Sequence, residues 1–264
     1  MTNSKINFVL NHVSFASFYT KIYFDKTYLG NATSFCYSYN DEQYLITNYH
    51  VVFGRNPFTG ELIDKKHASI PNRLLVFYNT SFGTVQFFEI DLTKTDEILN
   101  ISYKDGDDTK HYDLVAIKIK NNLVIQSINT VLKRSDDMMI SAPQQAFVLG
   151  YPKNINVNYF PIWKSASIAS EPMFNIDERL PCFYIDTGTK EGMSGSPVIL
   201  FSDKGSYRSV NGLKITSDLV YEFLGVYSGR DICENQEEAR LGLVWKEEAI
   251  IETIESQYKY TFNL

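Results

Sequence analysis

The sequence predicts an all-β protein, a sandwich or a pair of barrels, ending in one C-terminal helix. Three observations predict it. Phe and Tyr occur 18 times each in 264 residues, an aromatic supply that favours pleated, half-buried strands. Short apolar runs recur between Gly, Asn, Asp and Pro punctuation, which suits many short strands joined by turns better than a parallel α/β sheet. Helical periodicity shows only near the end of the chain.

In chain order, the strand runs are 15–24, 33–39, 44–47, 73–78, 84–90, 114–119, 145–149, 182–185, 198–201 and 222–227. Each is apolar or alternating and is bounded by turn residues. Residues 54–68, rich in Gly, Pro and charge, predict a surface loop, and so do residues 100–110. The second loop holds Asp105, Asp107 and Asp108 around Gly106. It lacks the spaced ligands and closing Glu of an EF-hand, so a solvated turn is expected and no metal. The helix is expected at 246–258, with Ile250, Ile251 and Ile254 on its apolar side. Glu247 and Glu248 lie near its start, where negative charge suits the helix dipole.

A net charge of −6 and a pI near 5.3 give no electrostatic case for nucleic acid or an anionic membrane. The weak basic cluster at Lys65, Lys66 and His67 reads as a solvated loop. No stretch approaches the ~18 apolar residues of a membrane span. The start, Met1-Thr2-Asn3-Ser4-Lys5, lacks the features of a secretory signal. Three irregularly spaced cysteines, Cys36, Cys182 and Cys233, argue for free thiols in a reducing compartment. A cytoplasmic protein without a cofactor is expected.

The strongest chemical signal is Gly192-Met193-Ser194-Gly195-Ser196-Pro197, followed by the apolar Val198-Ile199-Leu200. A nucleophilic serine needs a tight turn that projects Oγ outward, and converging backbone N–H groups where an oxyanion forms. Gly192 and Gly195 permit the turn, and the N–H groups of Gly192 and Ser194 are the candidate oxyanion hole. Read alone, the segment is equally a flexible loop before a strand. Tyr44-Leu45-Ile46-Thr47-Asn48-Tyr49-His50-Val51-Val52 ends a strand and places His50 in a short turn at its rim. His12, His67 and His111 are weaker candidates for a base. Asp113 begins Asp113-Leu114-Val115-Ala116-Ile117-Lys118-Ile119, at a strand start rather than in the polar loop that holds its acidic rivals. An Asp on His Nδ1 fixes the tautomer and stabilises the imidazolium.

Together these three segments resemble the catalytic segments of trypsin-like peptidases, closest to the HtrA-type and glutamyl-endopeptidase branches. They occur in the order His, Asp, Ser, with spacings of 63 and 81 residues. Residues 30–35, 148–152, 224–229 and 241–245 resemble further strands of that family, so the likeness covers roughly 15 to 258. The resemblance implies two six-stranded antiparallel β-barrels in one peptidase unit. The N-terminal barrel would span about 15–135, the C-terminal barrel about 140–245 and the terminal helix 246–258. It implies a serine endopeptidase working through an acyl-enzyme, with His50, Asp113 and Ser194 as the triad and a protein or peptide as substrate. A PDZ-like extension is not expected.

Two departures stand out. Val51 and Val52 follow His50 where extracellular members carry a Cys, so the family disulfides are not expected. Met193 stands where zymogen-type members carry Asp, so activation by N-terminal cleavage is not expected. By alignment to Ser194, Gly188 lies at the base of the substrate pocket with Thr189 beside it. Gly242 lines the opposite wall, and Tyr227, Ser228 and Gly229 form the strand along which substrate pairs. No carboxylate sits at the base, so an uncharged or acidic residue is expected before the scissile bond rather than Arg or Lys. Thr189 is shared with glutamyl endopeptidases, but Tyr227 replaces their His. The alternatives are a catalytically silent member of the fold that binds peptide as an added strand, and an esterase. The second lacks the strand–helix nucleophile elbow and has a different triad order.

Overall fold

The computed structural model describes residues 9–64, 68–80, 84–95, 98–119, 123–132, 137–202, 205–217, 219–230, 241–256 and 259–260. The first apolar run opens as a 3₁₀ turn at His12–Ala16, capped by the Asn11 side chain on Val13 N–H. Strands β1 (Phe18–Phe24), β2 (Thr27–Tyr39) and β3 (Glu42–Thr47) then form a meander. After the one-turn helix α1 (Tyr49–Phe53) come β4 (Arg73–Asn79), β5 (Val85–Asp91), β6 (Ile98–Leu99), β7 (Ser102–Asp105), β8 (Asp108–His111) and β9 (Val115–Ile119). The short helix α2 (Ile128–Val131) follows.

The second half holds β10 (Gln145–Gly150), β11 (Ile162–Ile168), β12 (Cys182–Asp186), β13 (Pro197–Ser202), β14 (Ser206–Ser209), β15 (Gly212–Ile215), β16 (Val220–Arg230) and β17 (Leu241–Lys246). Helix α3 (Glu247–Glu255) and β18 (Lys259–Tyr260) complete it. The expected all-β double-barrel architecture is what the chain adopts, and its two halves differ in closure. Strands β10-β11-β12-β17-β16-β13 form a closed six-stranded antiparallel barrel. The first half is a curled sheet of eight strands, ordered β18-β6-β9-β3-β2-β1-β4-β5, that stops short of closure among the described residues. At one end β5 pairs, among the described residues, only with β4, and its Phe87 stays exposed. At the other end β6 is two residues long, and its open side takes β18 from the chain's tail.

Helix α3 is the one expected at the end of the chain, shortened to nine residues. Ala249, Ile250, Thr253 and Ile254 form its buried face, and Tyr37 Oη donates to Glu247 in its first turn. One apolar cluster fills the first sheet around Phe18, Leu45, Leu74 and Ile117, and another fills the closed barrel around Val148, Phe183, Ile185 and Val244. A third joins the halves through Phe35, Leu149, Phe223, Tyr112 and Trp245. Tyr112 lies 4.6 Å from Trp245, centroid to centroid, which ties the approach to Asp113 to the second barrel. Residues 100–110 are a hairpin, β7 on β8, where a loop was expected. Its acidic run forms the turn, with Gly106 at φ 63°, and Asp105 is ion-paired to Lys110 and Arg179.

Candidate active site

Register brings His50 and Asp113 to one rim. In the antiparallel β3–β9 pair Thr47 lies opposite Val115, so the residues just after β3 meet those just before β9. His50 sits in α1 rather than in an open turn, and α1 ends at Gly54 in the left-handed region, φ 62°. The Asn48 side chain does not cap this helix; its Nδ2 donates instead to the Asp113 carbonyl at 2.7 Å. The carboxylate takes the capping role. Asp113 Oδ1 accepts the His50 backbone N–H at 3.0 Å, satisfying an orphan donor of the helix start.

The same carboxylate holds the imidazole. His50 Nδ1 lies 2.8 Å from Asp113 Oδ2. A carboxylate only accepts, so Nδ1 carries the proton and Nε2 of the neutral ring is an acceptor. The ring's hydrogen bonds among the described residues go only to Asp113, which leaves Nε2 open. Asp113 is 3% exposed, so this bond forms away from water. Burial alone would lower the pKa of His50, but the charge of Asp113 and its hydrogen bond outweigh that and hold it above the ordinary imidazole value.

Ser194 lies in the turn from β12 to β13. Gly192 and Gly195 adopt φ of +91° and +81°, a region that strains any side chain. The space is closed as well. A Cβ on Gly195 would collide with the Thr33 carbonyl and stand 2.5 Å from Thr47 Oγ1, and one on Gly192 would collide with the Tyr151 carbonyl and the Asn31 amide. The first sheet clamps this turn. Thr33 N–H donates to the Ser194 carbonyl and Thr33 Oγ1 to the Gly192 carbonyl, both at 2.8 Å. The N–H groups of Gly192 and Ser194 have no acceptor among the described residues. They are open donors on either side of a buried Met193. Ser196, the other hydroxyl in the motif, is fully buried.

Strand β16 connects the two parts. Tyr227 is pinned on both sides of the Ser194 turn, its N–H donating to Ser196 O at 2.8 Å and its carbonyl accepting from Gly195 N–H at 2.9 Å. Ser228 Oγ donates to Asp113 Oδ2. A Cβ on Gly229 would lie 3.8 Å from Ser194 Oγ. Asp113, His50, Ser228, Gly229 and Ser194 therefore form one continuous cluster across the two halves.

The expected pocket residues divide. Thr189 and Tyr227 are buried and join by their hydroxyls, and Gly242 lies against the Tyr227 ring. Gly188 is exposed and lines an open cavity of about 420 Å³ with Pro143, Gln145, Ser165, Asp186 and Thr187. Asp186 thus faces that outer cavity. Ser228 lies on the strand expected to pair with substrate backbone, and its side-chain hydroxyl is bonded to Asp113. Thr33 and Asn48 were not read as site residues; both are fully buried polar side chains, Thr33 on β2 and Asn48 two residues before His50, and no local sequence pattern marks them.

No protein-family model matches the sequence, and no curated protein resembles it at a significant level. Solved structures do. Deg5 is 17% identical over 91% of this chain and 88% of its own, with a TM-score of 0.50. The inactive form of the Rv3671c protease is 19% identical over 92% and 88%, at 0.45, and a serine endoprotease from Yersinia pestis is 14% identical over 92% and 62%, at 0.48. At these identities the likeness is one of fold alone, a double-barrel, chymotrypsin-like architecture.

Proposed function

We propose that the chain is a serine endopeptidase with His50, Asp113 and Ser194 as its triad. One observation carries the reading: a buried Asp113 holds His50 with Nε2 open, in the same cluster as a serine flanked by two unengaged N–H donors. His50 Nε2 takes the Ser194 proton as Oγ bonds to the scissile carbonyl carbon. The carbonyl oxygen becomes an oxyanion held by the N–H groups of Gly192 and Ser194. The C–N bond then breaks, and the imidazolium, stabilised by Asp113, returns its proton to the leaving amine. Water repeats the cycle on the acyl-enzyme and releases the acid.

The residue before the scissile bond is uncharged or acidic in this reading. Thr189, Tyr227 and Gly242 supply no carboxylate, and Asp186 faces the outer cavity. A desolvated Arg or Lys without a partner costs several kcal/mol. A fluorophosphonate probe tests the nucleophile: it labels the native protein at Ser194, and Ser194→Ala abolishes labelling and peptide hydrolysis while thermal unfolding is unchanged. Labelling that persists in Ser194→Ala, or never occurs in the folded protein, refutes the assignment. The second result would favour a peptide-binding module.

A further inference from the structure

We propose, on the basis of the peptidase reading, that Tyr227 is a plug filling the primary specificity pocket, so that the enzyme cleaves after short side chains such as Gly, Ala or Ser. The geometry begins at the nucleophile. With a scissile carbonyl carbon at Ser194 Oγ and its oxygen at the Gly192 and Ser194 N–H groups, the side chain of the preceding residue is confined between two walls. One is the chain from Thr187 to Gly192, running into the nucleophile turn. The other is Tyr227–Gly229, placed by the approach of Gly229 to Oγ and by the bonds of Tyr227 to Gly195 and Ser196.

The Tyr227 side chain bridges these walls. Its hydroxyl meets Thr189 Oγ1 on the opposite wall. Its ring lies on the Cα face of Gly242, where an added Cβ would stand 2.5 Å from Cε2 and 3.3 Å from Cζ. The same Cβ would lie 3.3 Å from Thr187 Cγ2, so the ring, the glycine and the threonine form one packed layer. Tyr227 is 1% exposed, Thr187 3% and Thr189 4%, so the space between the walls is filled by the protein itself. The ring is poorly placed to withdraw. Both main-chain polar groups of Tyr227 are bonded to the nucleophile turn, so a backbone shift that opened the pocket would displace Ser194 as well.

The consequence is selection by size. A side chain longer than one or two heavy atoms meets the ring, whereas a methyl or hydroxymethyl stays in front of it. Overpacking a filled site is resisted, and discrimination between side chains of different size reaches about 100-fold where a pocket is rigid. The preference among uncharged residues is thereby narrowed to the smallest.

The test is a peptide series differing only in the residue before the scissile bond, assayed with the wild type, Tyr227→Ala and Tyr227→Phe. The wild type is expected to show kcat/KM about 100-fold higher for Ala than for Phe. Tyr227→Ala reverses the preference, while Tyr227→Phe, which keeps the ring and loses the hydroxyl, retains it. Wild-type turnover after Phe or Leu that equals or exceeds turnover after Ala overturns the plug, as does a Tyr227→Ala variant with an unchanged ratio. A binding arm is independent of catalysis. p-Cresol, which matches the deleted side chain, raises the melting temperature of Tyr227→Ala but not of the wild type; stabilisation of the wild type refutes the plug. Failure of fluorophosphonate labelling sinks the peptidase reading, and the p-cresol result still decides whether the space is filled.

Discussion

Replacing Asp113 by Asn is expected to remove nearly all activity without unfolding the protein, and the hydrogen bonds say why. Asp113 accepts from three donors: the His50 backbone N–H and His50 Nδ1–H, at 3.0 and 2.8 Å, and the Ser228 hydroxyl. Asparagine is nearly isosteric but supplies one acceptor and one donor group. If its oxygen stays on the His50 N–H, its NH₂ faces Nδ1. The ring must then accept at Nδ1 and carry its proton on Nε2, where it cannot take one from Ser194. If the amide is flipped, NH₂ faces the backbone N–H, leaving a buried donor unpaired at a cost of about 1–3 kcal/mol. The first arrangement keeps the fold and inverts the tautomer. A wrong tautomer in this type of triad costs about 10⁴ in kcat, a magnitude known from a trypsin-type enzyme rather than derived for this chain. That corresponds to about 5.5 kcal/mol of transition-state stabilisation. The assay is the second-order rate of fluorophosphonate inactivation at neutral pH, beside thermal unfolding of both proteins. A rate within tenfold of wild type in a folded Asp113→Asn protein would show that this carboxylate does not set the tautomer.

Two other perturbations bear on the same site. His50 must be neutral to act as a base, and its pKa is raised by Asp113 over the opposing effect of burial, so the acid limb of kcat/KM is expected above ~6.5; a limb below that value contradicts the assignment. Because the folded state favours protonated His50, its contribution to stability is full below ~6.5 and fades as pH rises through the raised value, a slope that His50→Ala should remove from unfolding curves measured across pH. Gly195→Ala is expected to cost at least about 2 kcal/mol and to lose probe labelling, since φ +81° and contact with Thr33 O and Thr47 Oγ1 leave no room for a methyl; an unchanged melting temperature would refute this.

The site was legible where its signals are local, and illegible where it depends on bonds between distant segments. The Gly192–Pro197 turn, the strand leading to His50 and the strand following Asp113 each announce themselves within nine residues. Strand β11, Ile162–Ile168, escaped notice because Lys164, Ser165 and Ser167 interrupt its apolar pattern, although Ala166 and Ile168 are buried. The hairpin β7–β8 was hidden by polarity, since its exposed residues follow no apolar alternation. The roles of Ser228 and Tyr227 had a different obstacle. The ladder between β16 and β17 slips between Tyr227 and Arg230, and that irregularity breaks the in–out alternation on which side-chain direction is read from sequence. The bond of Thr33 to Gly192 spans 159 residues, and no local pattern announces it.

These long-range bonds explain how a site divided between two halves stays in register. Asp113 and His50 belong to the curled sheet; Ser194, Ser228 and Gly229 belong to the closed barrel. Nothing in either half alone fixes the distance between His50 and Ser194. The fixing comes from Thr33, which holds both carbonyls of the nucleophile turn, from Asn31 on the Tyr151 carbonyl, and from Ser228 on Asp113. Beneath them the shared apolar cluster, with Phe35 on Phe223 and Tyr112 on Trp245, makes sliding of one half past the other costly. Thr33 has a second effect that neither half supplies alone. By holding the carbonyls of Gly192 and Ser194 on β2, it fixes the turn between two N–H groups, those of Gly192 and Ser194, that have no acceptor among the described residues. A strand of the open first sheet thereby holds the Ser194 turn of the closed barrel, so the first sheet serves the candidate site without closing into a barrel.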